Sequence, residues 1–299
     1  MSDVPRFGCL TVQEIPRDEL FAAWDRIVDA GFDGLWLADH VMTFPKMGAL
    51  MEAWTTLAAA AMRTERVRLG TLVTNITYRD PVLVAKEAIT IDHLSGGRLD
   101  LGIGAAGTRD GDARVAGVDT WSTPERVQRF AEFVELVDGL MSGEIESFSG
   151  KYYSTDSFGR GPWPVQEPRP PLVIAANGPK TLRVAARFAD EWNALAGWGH
   201  KGDDLFEFLR SSNARLDDFA ADAGRDPSTI RRSALVGEAG FEWWDSADAL
   251  QDFVGKMRAS GIQDLVFYYP TSQAAAGGAF QARSFELLAE SLPALRKDE

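Results

Sequence analysis

The chain has 299 residues, 45% of them hydrophobic and 25% charged, an ordinary globular composition at a length that can bury a large core. Its formal net charge is −13 and no basic run exceeds two residues, which argues against binding a phosphate backbone, so no nucleic-acid partner is expected. The single cysteine, Cys9, allows no internal disulfide, suits a reducing compartment, and in its apolar run reads as a packed thiol.

Residues Met1–Arg6 are polar, and the apolar segment after them is short, so no signal peptide is expected. No stretch is apolar for long enough to span a bilayer, so the expectation is a cytoplasmic protein without a membrane partner. Phe7–Val12 then reads as a strand. Arg17–Ala30 reads as a helix, with Leu20, Phe21, Trp24, Ile27 and Val28 at helical spacing and Gly31 as its stop. Gly34–Ala38 is a second strand and Trp54–Thr64 a second helix. Val67–Thr74 is a third strand, followed by a helix over Pro81–Leu94 that opens on proline. Leu99–Ile103 is a fourth strand, and Ser122-Thr123 caps a long helix over Pro124–Leu140. Four further pairs follow: Leu172–Ala176 with Lys180–Phe188, Glu191–Leu195 with Leu205–Ala223, Ile230–Val236 with Ala247–Ser260, and Leu265–Tyr269 with Phe280–Leu292.

Eight such units predict parallel strands with right-handed crossovers. Eight fit a closed (β/α)8 TIM barrel better than an open doubly wound sheet, and no linker divides residues 1–299, so a single α/β domain is expected. Ser142–Pro171 breaks the alternation. It is rich in Gly, Pro, Ser and aromatics, with a small hairpin at Phe148–Tyr153, and reads as an insertion between units four and five.

Gly102-Ile103-Gly104-Ala105-Ala106-Gly107 matches G-x-G-x-x-G, but it follows the fourth strand, opens no apolar helix at Thr108–Asp112, and has no acidic strand end about 20 positions on. These glycines read instead as letting the backbone approach a flat ligand at the barrel mouth.

In a barrel, the residues just after each strand face one another across the active mouth. Those positions hold Thr11 and Gln13, then Asp39 and His40, then Val73, Thr74, Asn75 and Arg79, then the glycine run. Ala175–Pro179, Trp198 and His200, and Tyr268 and Tyr269 complete the ring. Asn177-Gly178, ahead of a helix, presents backbone N–H groups to an anion. A flat, partly apolar cofactor bearing a phosphate suits the whole set.

Five stretches carry a resemblance. They are Gly31–His40, Arg68–Thr74, Pro81–Lys86, Leu94–Gly104 and Ala175–Lys180, in order over nearly the whole chain. The chain resembles the bacterial-luciferase-like superfamily and, within it, the coenzyme F420-dependent oxidoreductases. The resemblance implies that Asp39-His40 lies beside the deazaflavin ring, with His40 assisting hydride transfer. It implies that Leu72-Val73, leading into Thr74 and Asn75, is the strand-three bulge that props the ring, often with a non-proline cis peptide. Ala105, Ala106 and Gly107 resemble the strand-four ring contact, and Ala176, Asn177 and Gly178 the phosphate-holding turn. Relatives are usually dimers, so a homodimer is expected.

Two departures narrow the substrate. The sugar-phosphate dehydrogenases of the group place a glutamate acid where this chain has Gly107, and small polar and lysine residues where it has Leu195 and Trp198. Phe44, Trp163, Trp198 and Tyr269 point to an apolar or aromatic small molecule instead. His93 reads as structural, and three dispersed histidines give little support to a metal site. Asp39 is read as orienting His40 or touching the cofactor, while Arg79 and Lys86 can also be surface groups in ion pairs. Two other functions stay open: an FMN-dependent monooxygenase fed by a separate reductase, and a non-catalytic carrier or sensor of a flavin-like ligand.

Overall fold

The computed structural model describes residues 4–41, 50–106, 111–159, 161–197, 199–237, 239–270 and 282–297. In chain order its strands are β1 (Phe7–Thr11), β2 (Gly34–Leu37), β3 (Arg68–Thr71), β4 (Thr74–Asn75), β5 (Leu101–Gly104), β6 (Phe148–Ser149), β7 (Ser154–Thr155), β8 (Leu172–Ala175), β9 (Glu191–Ala196), β10 (Arg231–Val236) and β11 (Asp264–Tyr268). The helices are α1 (Arg17–Asp29), α2 (Ala53–Arg63), α3 (Pro81–Ser95), α4 (Gly111–Ala116), α5 (Thr123–Ser142), α6 (Pro179–Phe188), α7 (Asp203–Asp222), α8 (Ala247–Ala259) and α9 (Ala282–Leu295). Helix ends follow local chemistry. On α3, the Asp80 carboxylate accepts from the N–H groups of Val82 and Leu83, Pro81 takes the first turn, and Gly96 closes the helix at φ 66°.

Among the described residues, nine strands form one sheet in the order β3-β2-β1-β11-β10-β9-β8-β5-β4, parallel at every pairing. β3 and β4 end that order yet are consecutive in the chain, and a bridge between Leu69 and Leu99 spans the seam. The sheet is therefore a nearly closed, TIM-barrel-like cylinder, as expected. The antiparallel pair β6–β7 falls inside the expected insertion.

The third strand is shorter than the predicted run and breaks at Leu72-Val73, where the resemblance implied a bulge with a cis peptide. Val67–Thr74 does not run unbroken: β3 pairs with β2, β4 pairs with β5, and the Leu72–Val73 peptide between them is cis. Leu72 joins the barrel interior, while Val73 rests on Gly104, where a Cβ would lie 2.2 Å from Val73 Cγ2.

Strand alternation sorts the core into two layers. Phe7, Cys9, Leu35, Leu37, Ile103 and Phe267 face the helices, whereas Leu10, Val12, Trp36, Leu72, Val173, Leu235 and Val266 fill the cylinder. Trp36 lies across the interior because glycines make room for it. A Cβ at Gly8 would come within 2.7 Å of its Nε1, and one at Gly34 within 2.8 Å. At the amino ends of the strands, ion pairs close the barrel. Arg231 grips Asp264 at 2.7 and 2.8 Å, Arg68 grips Asp100, and Arg6 joins Asp264 to Glu191. Burial pushes the Glu191 carboxyl up, against the pull of Arg6. With that end plugged, the carboxyl ends of the strands are the face left for chemistry.

Candidate active site

The end of β2 is held residue by residue. The Gln13 carboxamide brackets Ala38, accepting from its N–H at 3.1 Å and donating to its carbonyl at 2.9 Å. At Asp39, Tyr78 donates its hydroxyl to the backbone carbonyl at 2.6 Å. Arg79 forks onto the carboxylate, Nε to Oδ2 at 3.0 Å and Nη2 to Oδ1 at 2.6 Å, and the Asn75 N–H donates to Oδ2 at 3.1 Å. Burial, reinforced by the Asp39 charge, raises the Tyr78 phenol far above its ordinary range, so it stays a donor.

His40 follows, its side chain half exposed. Its Nδ1 lies 2.5 Å from Oδ2 of Asp112, a carboxylate that is only 4% exposed and sits on α4. The other Asp112 oxygen accepts from the Val41 N–H at 2.9 Å. This corrects one expectation about Asp39. Its carboxylate is bonded to Arg79 and Asn75, and the carboxylate bonded to the histidine ring is Asp112. Sequence reasoning missed Asp112 because it found no helix opening at Thr108–Asp112. A six-residue helix does start at Gly111. The usable signal was an acidic residue shortly after a strand end, where side chains converge on the mouth.

Arg79 is more than a surface ion pair, since its guanidinium is shared between Asp39 and Glu52 with Glu87 3.9 Å away. Glu52 also caps α2, accepting from the N–H groups of Trp54 and Thr55. Burial would raise this carboxyl, but the bonds from Arg79 and the helix terminus outweigh it and hold it down to about 2, from an ordinary 4.5. A depressed carboxyl contributes stability above its unfolded value and loses it as pH falls towards its folded one. Urea denaturation of the wild type is therefore expected to show a steeper loss of stability from pH 4.5 to 2 than that of Glu52→Gln. Equal slopes would refute this assignment.

Next to this segment, on the residues after β3 and at the end of β5, the side chains are small. Val73, Ala105 and Ala106 are half-buried, and Ala106 adopts φ 57°. Thr74 is fully buried, its hydroxyl 2.6 Å from that of Thr71, and the Asn75 side chain accepts from the Thr77 N–H. At the mouth of β8, the Asn177 carboxamide pairs with the Leu195 backbone, accepting from its N–H at 3.1 Å. Gly178 is the N-cap of α6, and Ala176 is buried with its carbonyl bonded to the Trp192 indole.

Two expected substrate residues lie elsewhere. Tyr269 faces outward: its ring packs on Phe285 at 5.0 Å and its hydroxyl accepts from Arg26 at 2.8 Å. Strand parity explains the error. Leu265 and Phe267 of β11 and Tyr269 just after it share the outer face, so Tyr268 is the tyrosine turned into the barrel, its phenol pushed up to about 12 by burial. Trp163 packs beside Gly143 and His93, at the carboxyl ends of α5 and α3, on the side of the barrel opposite the mouth. Phe44, Gly107 and Trp198 fall outside the described residues.

The described residues thus place a histidine–carboxylate pair and a run of small residues at the carboxyl mouth of a parallel barrel. Residues 4–264 match the luciferase-like monooxygenase family, and the chain belongs to it. It is 33% identical over 228 residues to the F420-dependent hydroxymycolic acid dehydrogenase of Mycobacterium tuberculosis, covering 75% of this chain and 60% of that protein. It is 35% identical over 219 residues to the F420-dependent glucose-6-phosphate dehydrogenase of Beutenbergia cavernae, covering 70% of this chain and 62% of that protein. The chain thus spans roughly three fifths of the length of these relatives. An F420-dependent secondary alcohol dehydrogenase, solved with an F420-acetone adduct, shares the fold with a TM-score of 0.79 at 18% identity, covering 98% of this chain and 100% of that one.

Proposed function

We propose that the chain is an F420-dependent oxidoreductase that moves a hydride between the deazaflavin and an apolar or aromatic organic substrate, with His40 exchanging the accompanying proton. The observation that carries the reading is the half-exposed His40 ring, fixed by a buried carboxylate at the carboxyl mouth of the barrel. When bound, F420 supplies the carbon that gives or takes the hydride.

The residues present fit such a group. Val73, Ala105 and Ala106 put no bulky side chain on one side of the mouth, where a planar ring can lie in van der Waals contact. The turn at Ala176, Asn177 and Gly178 opens a helix whose amino end favours phosphate. Asp39 and Asn75 hold each other and so fix the side on which His40 sits. Val12, Leu195, Leu235 and Tyr268 line the inner wall without a charge, which suits an apolar substrate. Phe44 and Trp198 extend that reading from the sequence alone, and Gly107 offers no side chain that could donate a proton. We include in the proposal a single cytoplasmic domain that assembles as a homodimer, on composition and resemblance.

Fluorescence titration of the purified chain with F420 and with FMN tests the assignment. F420 is expected to bind about tenfold or more tightly than FMN, and to be reduced or oxidised in a substrate screen. Tight FMN binding without F420 binding, with oxygen consumed in the presence of reduced FMN, would replace the proposal with a monooxygenase. Cofactor binding with no turnover in either direction would leave a carrier.

A further inference from the structure

We propose that Asp112 is a positioning residue that holds His40 as its Nδ1–H tautomer, so that the ring exchanges protons through Nε2. The claim deepens the proposed function and rests on it for the role of His40, but the tautomer itself is a property of the chain alone.

The argument starts from the acceptor inventory. A carboxylate has no hydrogen to give, so the ring nitrogen that meets Oδ2 at 2.5 Å must carry the proton. The other oxygen is engaged independently, because the Val41 N–H donates to Oδ1 at 2.9 Å and a backbone amide has no alternative protonation state. Two donors one residue apart thus meet the two oxygens of one carboxylate, which fixes both the ring and the peptide that carries it. Burial is asymmetric in the sense this role requires: the Asp112 side chain is 4% exposed and that of His40 is 50% exposed. The carboxylate grips the ring from inside and leaves the imidazole accessible.

The surrounding charges leave this task to Asp112. Asp39, next in the chain, is bonded to Arg79 and to the Asn75 N–H, and the Tyr78 hydroxyl is committed to the Asp39 carbonyl. Asp112, on α4, meets the ring at Nδ1. It is also placed to couple two parts of the site, since α4 follows the Ala105-Ala106 shelf by a few residues in the chain.

An Asp112→Asn variant separates positioning from bulk. A carboxamide has one acceptor oxygen and one NH2 donor. With its oxygen on the Val41 N–H, the NH2 faces Nδ1 and forces that nitrogen to accept, which moves the ring proton to Nε2. The experiment is 15N NMR of the imidazole rings in the chain without cofactor. The sequence has three histidines, so loss of one signal in His40→Gln assigns the residue, and His93 and His200 report on folding.

The wild type is expected to show the Nδ1–H form at His40. Asp112→Asn is expected to show the Nε2–H form, with the His40 pKa lowered by about one unit or more because a facing anion has been removed. In turnover with F420, Asp112→Asn is expected to lower kcat about 10- to 100-fold while F420 affinity changes by less than about threefold. An Nε2–H tautomer in the wild type would overturn the proposal, and so would an unchanged tautomer and pKa in a folded Asp112→Asn. The wild-type spectrum decides the point even if the variant does not fold. Failure of F420 to bind the wild type would overturn the functional reading, and the spectrum would still decide what Asp112 does to the ring.

Discussion

His40→Ala is expected to bind F420 within about threefold of the wild type and to lower kcat by about 10²- to 10⁴-fold, the range over which a positioned acid–base group acts. The separation of the two effects follows from where the residue sits. His40 belongs to neither core cluster, and its side chain is half exposed, so truncation opens no cavity in the barrel. The backbone on either side keeps its supports: Gln13 on Ala38, Tyr78 on the Asp39 carbonyl, and Asp112 on the Val41 N–H. What disappears is a ring able to give and take a proton near neutral pH, and Gly107 supplies no substitute. Steady-state kinetics beside F420 titration and a thermal melt make the test. A variant that turns over within about tenfold of the wild type would remove His40 from the chemistry. A variant that no longer binds F420 would make it a cofactor contact instead.

The barrel was legible because its signals are local. Short β-rich runs, helical periodicity and glycine stops recur eight times, and each is read within a dozen residues. The site was legible only in part, because its decisive contacts are not local. His40 could be picked out by its place after a strand, but its partner Asp112 lies 72 residues further on, on a helix too short to show a period. Local pattern read the third strand as one run, Val67–Thr74, because it is rich in apolar and β-branched residues, and the bulge at Leu72-Val73 was implied by the resemblance alone. The break reflects pairing, in which β3 follows β2 and β4 follows β5, with Val73 accommodated by a glycine on the neighbouring strand. Tyr268 and Tyr269 show the cost of a one-residue error. Choosing the wrong neighbour exchanges a wall of the barrel interior for a contact with α1 and α9. Arg79 was ambiguous for a related reason. An arginine before a helix is ordinarily solvated, and only the fold brings Asp39, Glu52 and Glu87 around it.

That arginine carries the largest stability effect expected at the site. Arg79→Met is expected to destabilise the protein by about 3–5 kcal/mol, the cost of leaving one member of a buried ion pair without its partner. The pair qualifies as buried, with the Asp39 side chain 2% exposed and Arg79 14%. Methionine keeps much of the length and apolar volume of the arginine stem, so the loss reports on charge and hydrogen bonding more than on packing. In the variant the Asp39 carboxylate retains the Asn75 N–H but loses both bonds from the guanidinium, and Glu52 loses its cation as well. Arg79→Lys should recover only part of the loss, since a single ammonium cannot reproduce a fork that meets both Asp39 oxygens. A second substitution distinguishes this account from a general weakening of the loop. Adding Asp39→Asn to Arg79→Met removes the stranded charge, so the double variant should be more stable than Arg79→Met alone. Urea denaturation of the four proteins, wild type included, gives the comparison. A loss below about 1 kcal/mol for Arg79→Met would place the pair among exposed ion pairs. It would also detach Asp39 from the set of bonds that holds His40 at the mouth.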